Sequence, residues 1–162
     1  MTRRAPILLC LVGCSDAELT HSHADDACQG QDVAGWSIDA LEIGSGPDGE
    51  SFAPWVDGAP VPLVLGPQGG EMFDVRLRVV GEVPNDCLVQ ATSVRDPGGT
   101  PVGFAVGSAV NAYDQGDGSL LTNSFWVVLD GTVAGSELAV VVEATAYETT
   151  VTRQVVLQPP PP

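Results

Sequence analysis

Two acidic loops hold the residues best suited to binding a metal ion. Asp114 and Asp117 lie in a glycine-bearing segment, and Asp48 and Glu50 lie in an earlier one. Carboxylate oxygens on such loops are ligands that calcium prefers, so these residues form a candidate Ca²⁺ site if the two loops meet. The spacing departs from the twelve-residue calcium loop, because no glutamate occupies its last position. A turn between two strands, with a tight bend at Asp117-Gly118, is therefore the favoured interpretation.

The only two histidines form a second candidate metal site. His21 and His23 lie two positions apart and are followed by Asp25 and Asp26. On an extended chain the two imidazoles point to the same side and could share a transition metal. The surrounding segment is polar and would lose conformational entropy on binding, which favours a solvated segment instead. Because both histidines lie here, the folded domain has no imidazole for nucleophilic catalysis, and we expect a protein that is not an enzyme.

Trp55 is the candidate partner-binding residue. It lies in a long predicted loop, 44–60, and exposed tryptophans commonly anchor a partner protein or a sugar. The alternative is that the ring folds back as a lid over one end of the domain.

The glycine-rich run at 66–70 is a poor phosphate-binding loop, because its spacing matches neither dinucleotide nor P-loop patterns and no lysine follows it.

The N-terminal residues have the layout of an export signal. Arg3 and Arg4 precede an apolar run over 5–13, which ends in Leu11-Val12-Gly13-Cys14. This motif resembles the lipobox of bacterial lipoproteins. The resemblance implies that Cys14 is acylated on sulfur and becomes the mature N-terminus, so that the lipid anchor alone contacts the membrane. A buried strand in a cytosolic protein is the alternative, but it leaves the two arginines unexplained.

The remaining cysteines favour a disulfide bond. Cys10 would leave with the signal and Cys14 would carry the lipid, which leaves Cys28 and Cys87. An even pair of cysteines in an exported domain is more typical of a disulfide than of a metal site, because neither lies in a CxxC motif. Closing a loop of about 60 residues would stabilise the fold by ~4 kcal/mol.

The predicted organisation is a signal peptide (1–13), an acidic tether (14–35), a β-domain (36–158) and a proline tail (159–162). A flexible tether of this length spans ~25 Å and holds the domain clear of the lipid surface. Ser15, directly after the lipobox cysteine, favours the outer membrane in bacteria that sort lipoproteins by this position. The predicted location is the bacterial cell envelope.

The charge of the chain excludes several partners. Among 162 residues, 21 are acidic and six are basic, which gives a net charge of −15. Such a surface repels phosphate, so nucleic acid and anionic lipid headgroups are poor partners. The acidic residues are scattered singly, which favours a solvated surface over a site that captures cations or a basic partner.

Beyond residue 35 the chain consists of short apolar runs punctuated by Gly, Pro and Asp. In 71–80, Phe73, Val75, Leu77 and Val79 alternate with Met72, Asp74, Arg76 and Arg78, as in a strand with one buried face and one solvated face. Runs of this kind predict an antiparallel immunoglobulin-like β-sandwich of seven or eight strands, with a small β-barrel as the alternative. The predicted strands are 36–43, 61–65, 71–80, 87–95, 101–106, 121–129, 138–146 and 149–158.

The pattern also predicts the face of the first strand, one loop and one bulge. Trp36, Ile38 and Ala40 share one face of the first strand, 111–119 is a loop, and a slip of phase near Arg153 predicts a bulge.

The segment Gly66-Pro67-Gln68-Gly69-Gly70 and the strand after it resemble uncharacterised bacterial envelope lipoproteins with a single β-sandwich domain, a resemblance that implies no activity. We therefore expect a non-enzymatic envelope lipoprotein whose domain binds a protein or glycan or has a structural role. A calcium-dependent or other cation-dependent binding module is the alternative.

Overall fold

The protein folds as two antiparallel β-sheets. The computed structural model describes residues 34–46, 51–60, 63–83, 87–107, 112–131 and 135–158. These residues hold eleven strands and no helix, and all eleven strands lie within the predicted domain 36–158. The part of the chain that is described therefore has no helix able to cross a bilayer.

Three strands have nine or ten residues, and the other eight have two to seven. They are β1 (Ala40–Ser45), β2 (Ala53–Pro54), β3 (Val64–Leu65), β4 (Glu71–Val80), β5 (Val89–Arg95), β6 (Pro101–Gly107), β7 (Ala112–Asp114), β8 (Ser119–Thr122), β9 (Phe125–Val128), β10 (Leu138–Ala146) and β11 (Thr149–Leu157). The first sheet has the order β2-β1-β4-β8-β7, and β3 and β9 also pair with β4. The second sheet has the order β11-β10-β5-β6.

The strand order gives the sandwich an immunoglobulin-like topology. With β1, β4, β8 and β7 taken as strands A, B, E and D, the first sheet reads A-B-E-D. The second sheet reads G-F-C-C′ when β11, β10, β5 and β6 take those letters. Among the described residues, an isolated bridge, Gly103–Leu129, joins β6 to the residue after β9, and no continuous ladder joins the two sheets. A second isolated bridge, Pro60–Gln158, joins the segment between β2 and β3 to the residue after β11. The predicted sandwich is thus confirmed, and the alternative of a closed barrel is wrong.

The core lies between the two sheets and follows the alternation of the long strands. The core-facing side chains of β4 and β10 are almost fully buried, each at 1% exposure or less. Each large side chain buried in this way stabilises the fold by about 1.5–3 kcal/mol. The residues concerned are Phe73, Val75, Leu77, Val79, Leu138, Val140, Val142 and Ala144.

The first strand begins later than predicted and faces the other way. β1 starts at Ala40, and within it Leu41 and Ile43 point into the core while Ala40 is exposed, opposite to the predicted face. The reason is the pairing with β4, because each residue of β1 shares a face with its partner across the ladder. Leu41 lies opposite the buried Val79, which fixes this choice of face. Ile38, also on the predicted face, is buried in the core, but it lies before the strand begins.

Pairing also divides the predicted strand 121–129. The ladder between β8 and β4 stops near Thr122, where the Thr122 hydroxyl accepts a hydrogen bond from the Leu77 amide at 2.8 Å. A side chain replaces the backbone partner at this point, and β9 begins again at Phe125. In the predicted loop 111–119, the structure shows β7 as a short edge strand.

The predicted bulge at Arg153 is wrong. The register between β10 and β11 is continuous along the whole ladder, and Arg153 occupies a core-facing position opposite Val142. The apolar alternation of the sequence is interrupted here because a charged residue, Arg153, lies on the inner face of this edge strand. A register shift occurs instead between β5 and β6, at Val94 and Arg95.

Candidate functional site

The acidic hairpin between β7 and β8 is held by its own hydrogen bonds. Asp114 Oδ1 accepts a hydrogen bond from the Gly116 amide at 2.7 Å, which closes a tight turn. Asp117 Oδ1 accepts hydrogen bonds from both the amide and the hydroxyl of Ser119. Both aspartates therefore brace the turn, which is the structural role that the sequence favoured.

Asp117 also forms an ion pair with β4. The Arg78 guanidinium donates through Nη2 to Asp117 Oδ2, and it lies 3.6 Å from the Glu42 carboxylate through Nη1. The hydrogen bonds from the Ser119 hydroxyl and amide, followed by the contact with Arg78, hold the pKa of Asp117 below its ordinary value of 3.8. Arg78 thus supplies, at this carboxylate, the positive charge that a metal ion would otherwise bring.

The calcium hypothesis is open for the rest of the predicted set. Asp48 and Glu50 lie outside the described residues, and so does the separate transition-metal candidate of His21, His23, Asp25 and Asp26. Within the described ranges, no three His, Cys, Asp or Glu side chains gather closely enough to hold a metal ion. Calcium binding stays a prediction, and its test is whether calcium raises the melting temperature of the protein.

Trp55 lies across one end of the core, half-buried. Its ring meets Phe73 edge to face, with the two ring centroids 6.0 Å apart, and its Nε1 donates to the Ser45 hydroxyl at 3.2 Å. The Trp55 amide also donates to the Ile43 carbonyl at 2.8 Å, which attaches this segment to the edge of β1. These contacts favour the interpretation of Trp55 as a lid over the core, rather than as a free anchor for a partner.

An open groove of about 510 Å³ runs beside Trp55, between the edges of β1 and β11. Arg153 lines it and donates through Nε to the Leu41 carbonyl at 3.3 Å, bridging the two sheets. A charged side chain on the inner face of an edge strand discourages pairing with another chain. The Gly58 amide donates to the Val156 carbonyl at 2.8 Å, so the C-terminal end of β11 is covered as well.

Trp126 lies on the outer face of the first sheet and is exposed. Val64, Met72 and Val128 are neighbours across three strands, and Trp126 lies opposite Asp74 on the same face. We call Val64, Met72, Trp126 and Val128 the outer-face patch. Trp126 is 47% exposed and Val128 is 55% exposed. An apolar group of this kind on a strand surface commonly marks an interaction site.

The sequence contained a signal for this patch. Phe125, Val127 and Leu129 alternate, and Val127 is fully buried, so the side chains between them must point outward. Trp126 and Val128 are those side chains. Only Trp55 was predicted to bind a partner, although the period-two pattern of this strand places Trp126 at the surface.

Arg76 is a second site residue that the sequence did not reveal. It lies on the outer face of β4 yet is only 3% exposed. Its guanidinium donates to the Thr122 carbonyl at 2.9 Å and to the Ser51 carbonyl at 2.8 Å. The side chain therefore ties the segment after the first strand to the outer surface of the sheet.

Cys87 is buried and disulfide-bonded. The three other cysteines, Cys10, Cys14 and Cys28, lie outside the described residues. The pairing of Cys87 with Cys28 and the acylation of Cys14 stay predictions. A disulfide in the folded domain is typical of proteins exported to an oxidising compartment.

No protein-family model and no curated protein sequence matches the chain. Among solved structures, the β-glucuronidase of Parabacteroides merdae matches with 10% identity and a TM-score of 0.37, covering 76% of this chain and 13% of the glucuronidase chain. The CooA pilin subunit of enterotoxigenic Escherichia coli matches with 8% identity and a TM-score of 0.40, covering 75% of this chain and 98% of the pilin. Neither similarity bears on function, and the fold assignment rests on the strand order of this chain.

Proposed function

We propose that the protein is a lipid-anchored, non-enzymatic component of the bacterial cell envelope whose immunoglobulin-like domain binds a partner protein. The observation that carries the binding role is the outer-face patch, where Trp126 and Val128 are about half exposed on a rigid strand. Rigid aromatic side chains on a sheet lose little entropy on binding and are frequent anchors of interfaces.

The surroundings of Trp126 favour a protein over a sugar as the partner. Its neighbours in the patch are aliphatic or thioether side chains, which offer sugar hydroxyls no donor and only one weak acceptor, the Met72 sulfur. The adjacent carboxylate of Asp74 accepts hydrogen bonds from the amides of Phe125 at 3.2 Å and Gly46 at 3.3 Å. Because the net charge is −15, a second copy is repelled, and a partner with basic residues around an apolar anchor fits best.

Site-specific photocrosslinking in cells tests this role. A photoreactive phenylalanine at position 126 should give a discrete crosslinked band that protease removes, because the band contains a partner protein. Position 113 is the matched control, since Tyr113 is 55% exposed on an edge strand of the same sheet. Equal patterns at the two positions would contradict a specific interface, and a band that resists protease would indicate a glycan instead.

The anchor rests on the lipobox at Leu11-Val12-Gly13-Cys14. The disulfide at Cys87 supports an oxidising compartment, and Ser15 supports the outer membrane as the destination. Metabolic labelling with a fatty-acid analogue in a bacterial host should label the protein and its Cys10→Ser variant, but not Cys14→Ser. Label retained by the Cys14→Ser variant would contradict the assignment of the anchor.

A further inference from the structure

One end of the sandwich holds an open cavity of about 560 Å³. It lies where the chain enters β1 and leaves β4, beside the hairpin of β7 and β8. Trp36, Glu82 and Asp114 line it, together with the apolar side chains of Val83 and Leu120. We call this space the end cavity. It is separate from the outer-face patch, which lies on strands β3, β4 and β9.

The register of the strands directs Asp114 towards this cavity. Asp114 lies opposite Leu120 across the β7–β8 ladder, and Leu120 lies opposite Val79 across the β8–β4 ladder. Partners across a ladder share a face, and Val79 is buried in the core. The Asp114 carboxylate is thus on the inner side of an edge strand, a position that is normally apolar in a sandwich.

Trp36 and Glu82 are brought together by the backbone. The amide of Ser37 donates to the carbonyl of Glu82 at 3.3 Å, so the residues before β1 run beside the residues after β4. Gly81 permits this close approach, because a Cβ atom there would collide with the Ser37 backbone. The indole and a carboxylate therefore share the same end of the molecule.

The described lining of the cavity has two carboxylates and no basic residue. This distinguishes it from the neighbouring Asp117 site, where Arg78 supplies the positive charge. The face of an indole attracts cations, and nearby carboxylates strengthen that attraction. Since no three potential metal ligands gather in the described part of the chain, an organic cation fits this lining better than a metal ion.

We infer that the end cavity binds an organic cation, an alkylammonium or guanidinium group, between the Trp36 indole and the carboxylates of Glu82 and Asp114. The apolar floor of Val83 and Leu120 would contact the alkyl stem while the charged head meets the carboxylates. This site goes beyond the proposed partner interface. The group could belong to a free polyamine or to a lysine or arginine side chain of a protein.

The test uses the indole N–H signals of the full chain, in detergent micelles, by heteronuclear NMR. The three tryptophans give three signals, and a Trp36→Phe variant identifies that of Trp36. Butylammonium should shift the Trp36 signal with roughly millimolar affinity, while those of Trp55 and Trp126 stay in place. Butanol, which has a similar shape without the charge, should leave all three signals unchanged.

Variants of the two carboxylates then test whether their negative charges bind butylammonium. Glu82→Gln and Asp114→Asn should each weaken butylammonium binding about three- to tenfold. Glu148→Gln is the matched control, because it removes one negative charge at an exposed turn between β10 and β11. Equal losses in all three variants would mean a general charge effect and would overturn the site. An absent shift, or an equal shift with butanol, would overturn it as well.

Two further probes distinguish the sources of the cation. Tighter binding of spermidine than of an N-acetyl-lysine amide indicates a free polyamine, and the reverse order indicates a side chain of a protein. Either order supports the cation site. The result is independent of the proposed anchor and interface, because Cys14→Ser and Trp126→Ser variants should keep the Trp36 response.

Discussion

Arg76 is a buried cation that donates hydrogen bonds to two backbone carbonyls. A guanidinium has five N–H donors, so it can join separate segments in a way that an apolar side chain cannot. Here it connects β4 with the carbonyls of Thr122 and Ser51, which are 46 and 25 positions away in the chain. Arg76 therefore links two distant segments to the outer surface of the first sheet.

Replacing Arg76 should destabilise the protein more than replacing an exposed arginine. We expect Arg76→Met to lower the free energy of unfolding by about 2–4 kcal/mol, because two carbonyl groups lose their partner. Arg95→Met is the control, since the guanidinium of Arg95 makes an exposed contact with the Gly99 carbonyl and should contribute less than about 1 kcal/mol. Urea denaturation measures both, and equal losses would contradict the role assigned to Arg76.

Asp117 should make the stability depend on pH. Its pKa is lower in the folded protein than in the unfolded chain, so the ionised carboxylate stabilises the native state. This contribution is complete above the unfolded pKa, near 3.8, and is lost as the pH falls through the lower folded value. Denaturation midpoints of wild type and Asp117→Asn should differ at pH 7 and converge as the pH falls below the lowered pKa of Asp117. A constant difference between pH 7 and pH 2 would contradict this account.

At the scale of elements, β6 and β9 approach each other through glycines. Gly103 faces Leu129 and Val127 across the sandwich corner, and a Cβ atom there would lie 2.9 Å from Leu129 Cδ2 and 3.1 Å from the Val128 carbonyl oxygen. The alternate positions of β6 place Phe104 on the outer face, where it is 45% exposed. The inner face of this strand is thus made of small residues, because another strand lies close to it.

Gly103→Ala should therefore destabilise the protein by about 1–3 kcal/mol through overpacking at this corner. Gly70→Ala is the matched control in a neighbouring segment, because its added Cβ would meet Val128 Cγ1 at an ordinary 3.6 Å. We expect the control to change the stability by less than about 0.5 kcal/mol. Thermal unfolding of both variants checks the difference, and a neutral Gly103→Ala would show that the corner can relax.

The elements that the sequence predicted well are the long ones. The predicted strand 71–80 coincides with β4, because ten alternating residues leave a single choice of face. β3 lies inside the predicted strand 61–65, whereas β2 and β7, with two and three residues, are too short for a period to be detected. These strands exist because a neighbouring strand offers hydrogen bonds, which is information that the local sequence does not carry.

The candidate sites were also predictable only where their contacts lie within a short stretch of sequence. The bracing of the acidic turn by Asp114 and Asp117 could be predicted, because it depends on residues within the turn itself. The ion pair with Arg78 joins residues 39 positions apart and could not be predicted without the pairing of β4 with β8. The inward position of Asp114, on which the end cavity depends, likewise follows from two strand pairings, β7 with β8 and β8 with β4.

At the scale of the whole molecule, the disulfide at Cys87 is the one covalent crosslink found in the described residues. If Cys28 is its partner, Cys28→Ser and Cys87→Ser should each lower the free energy of unfolding by ~4 kcal/mol, because both open the same loop. Thiol titration of the unfolded Cys28→Ser variant should then detect Cys87 as a free thiol. A Cys87 that stays oxidised in this variant would contradict the pairing.

The most direct test of the whole account is the intact mass of the protein extracted from its own membranes, measured with and without reductant. We predict a chain that begins at Cys14, carries acyl groups and gains two protons on reduction. This mass would support an exported, lipid-anchored domain closed by a single disulfide. An unlipidated mass that retains Met1 would contradict the central claim, and the envelope role argued here would fail with it.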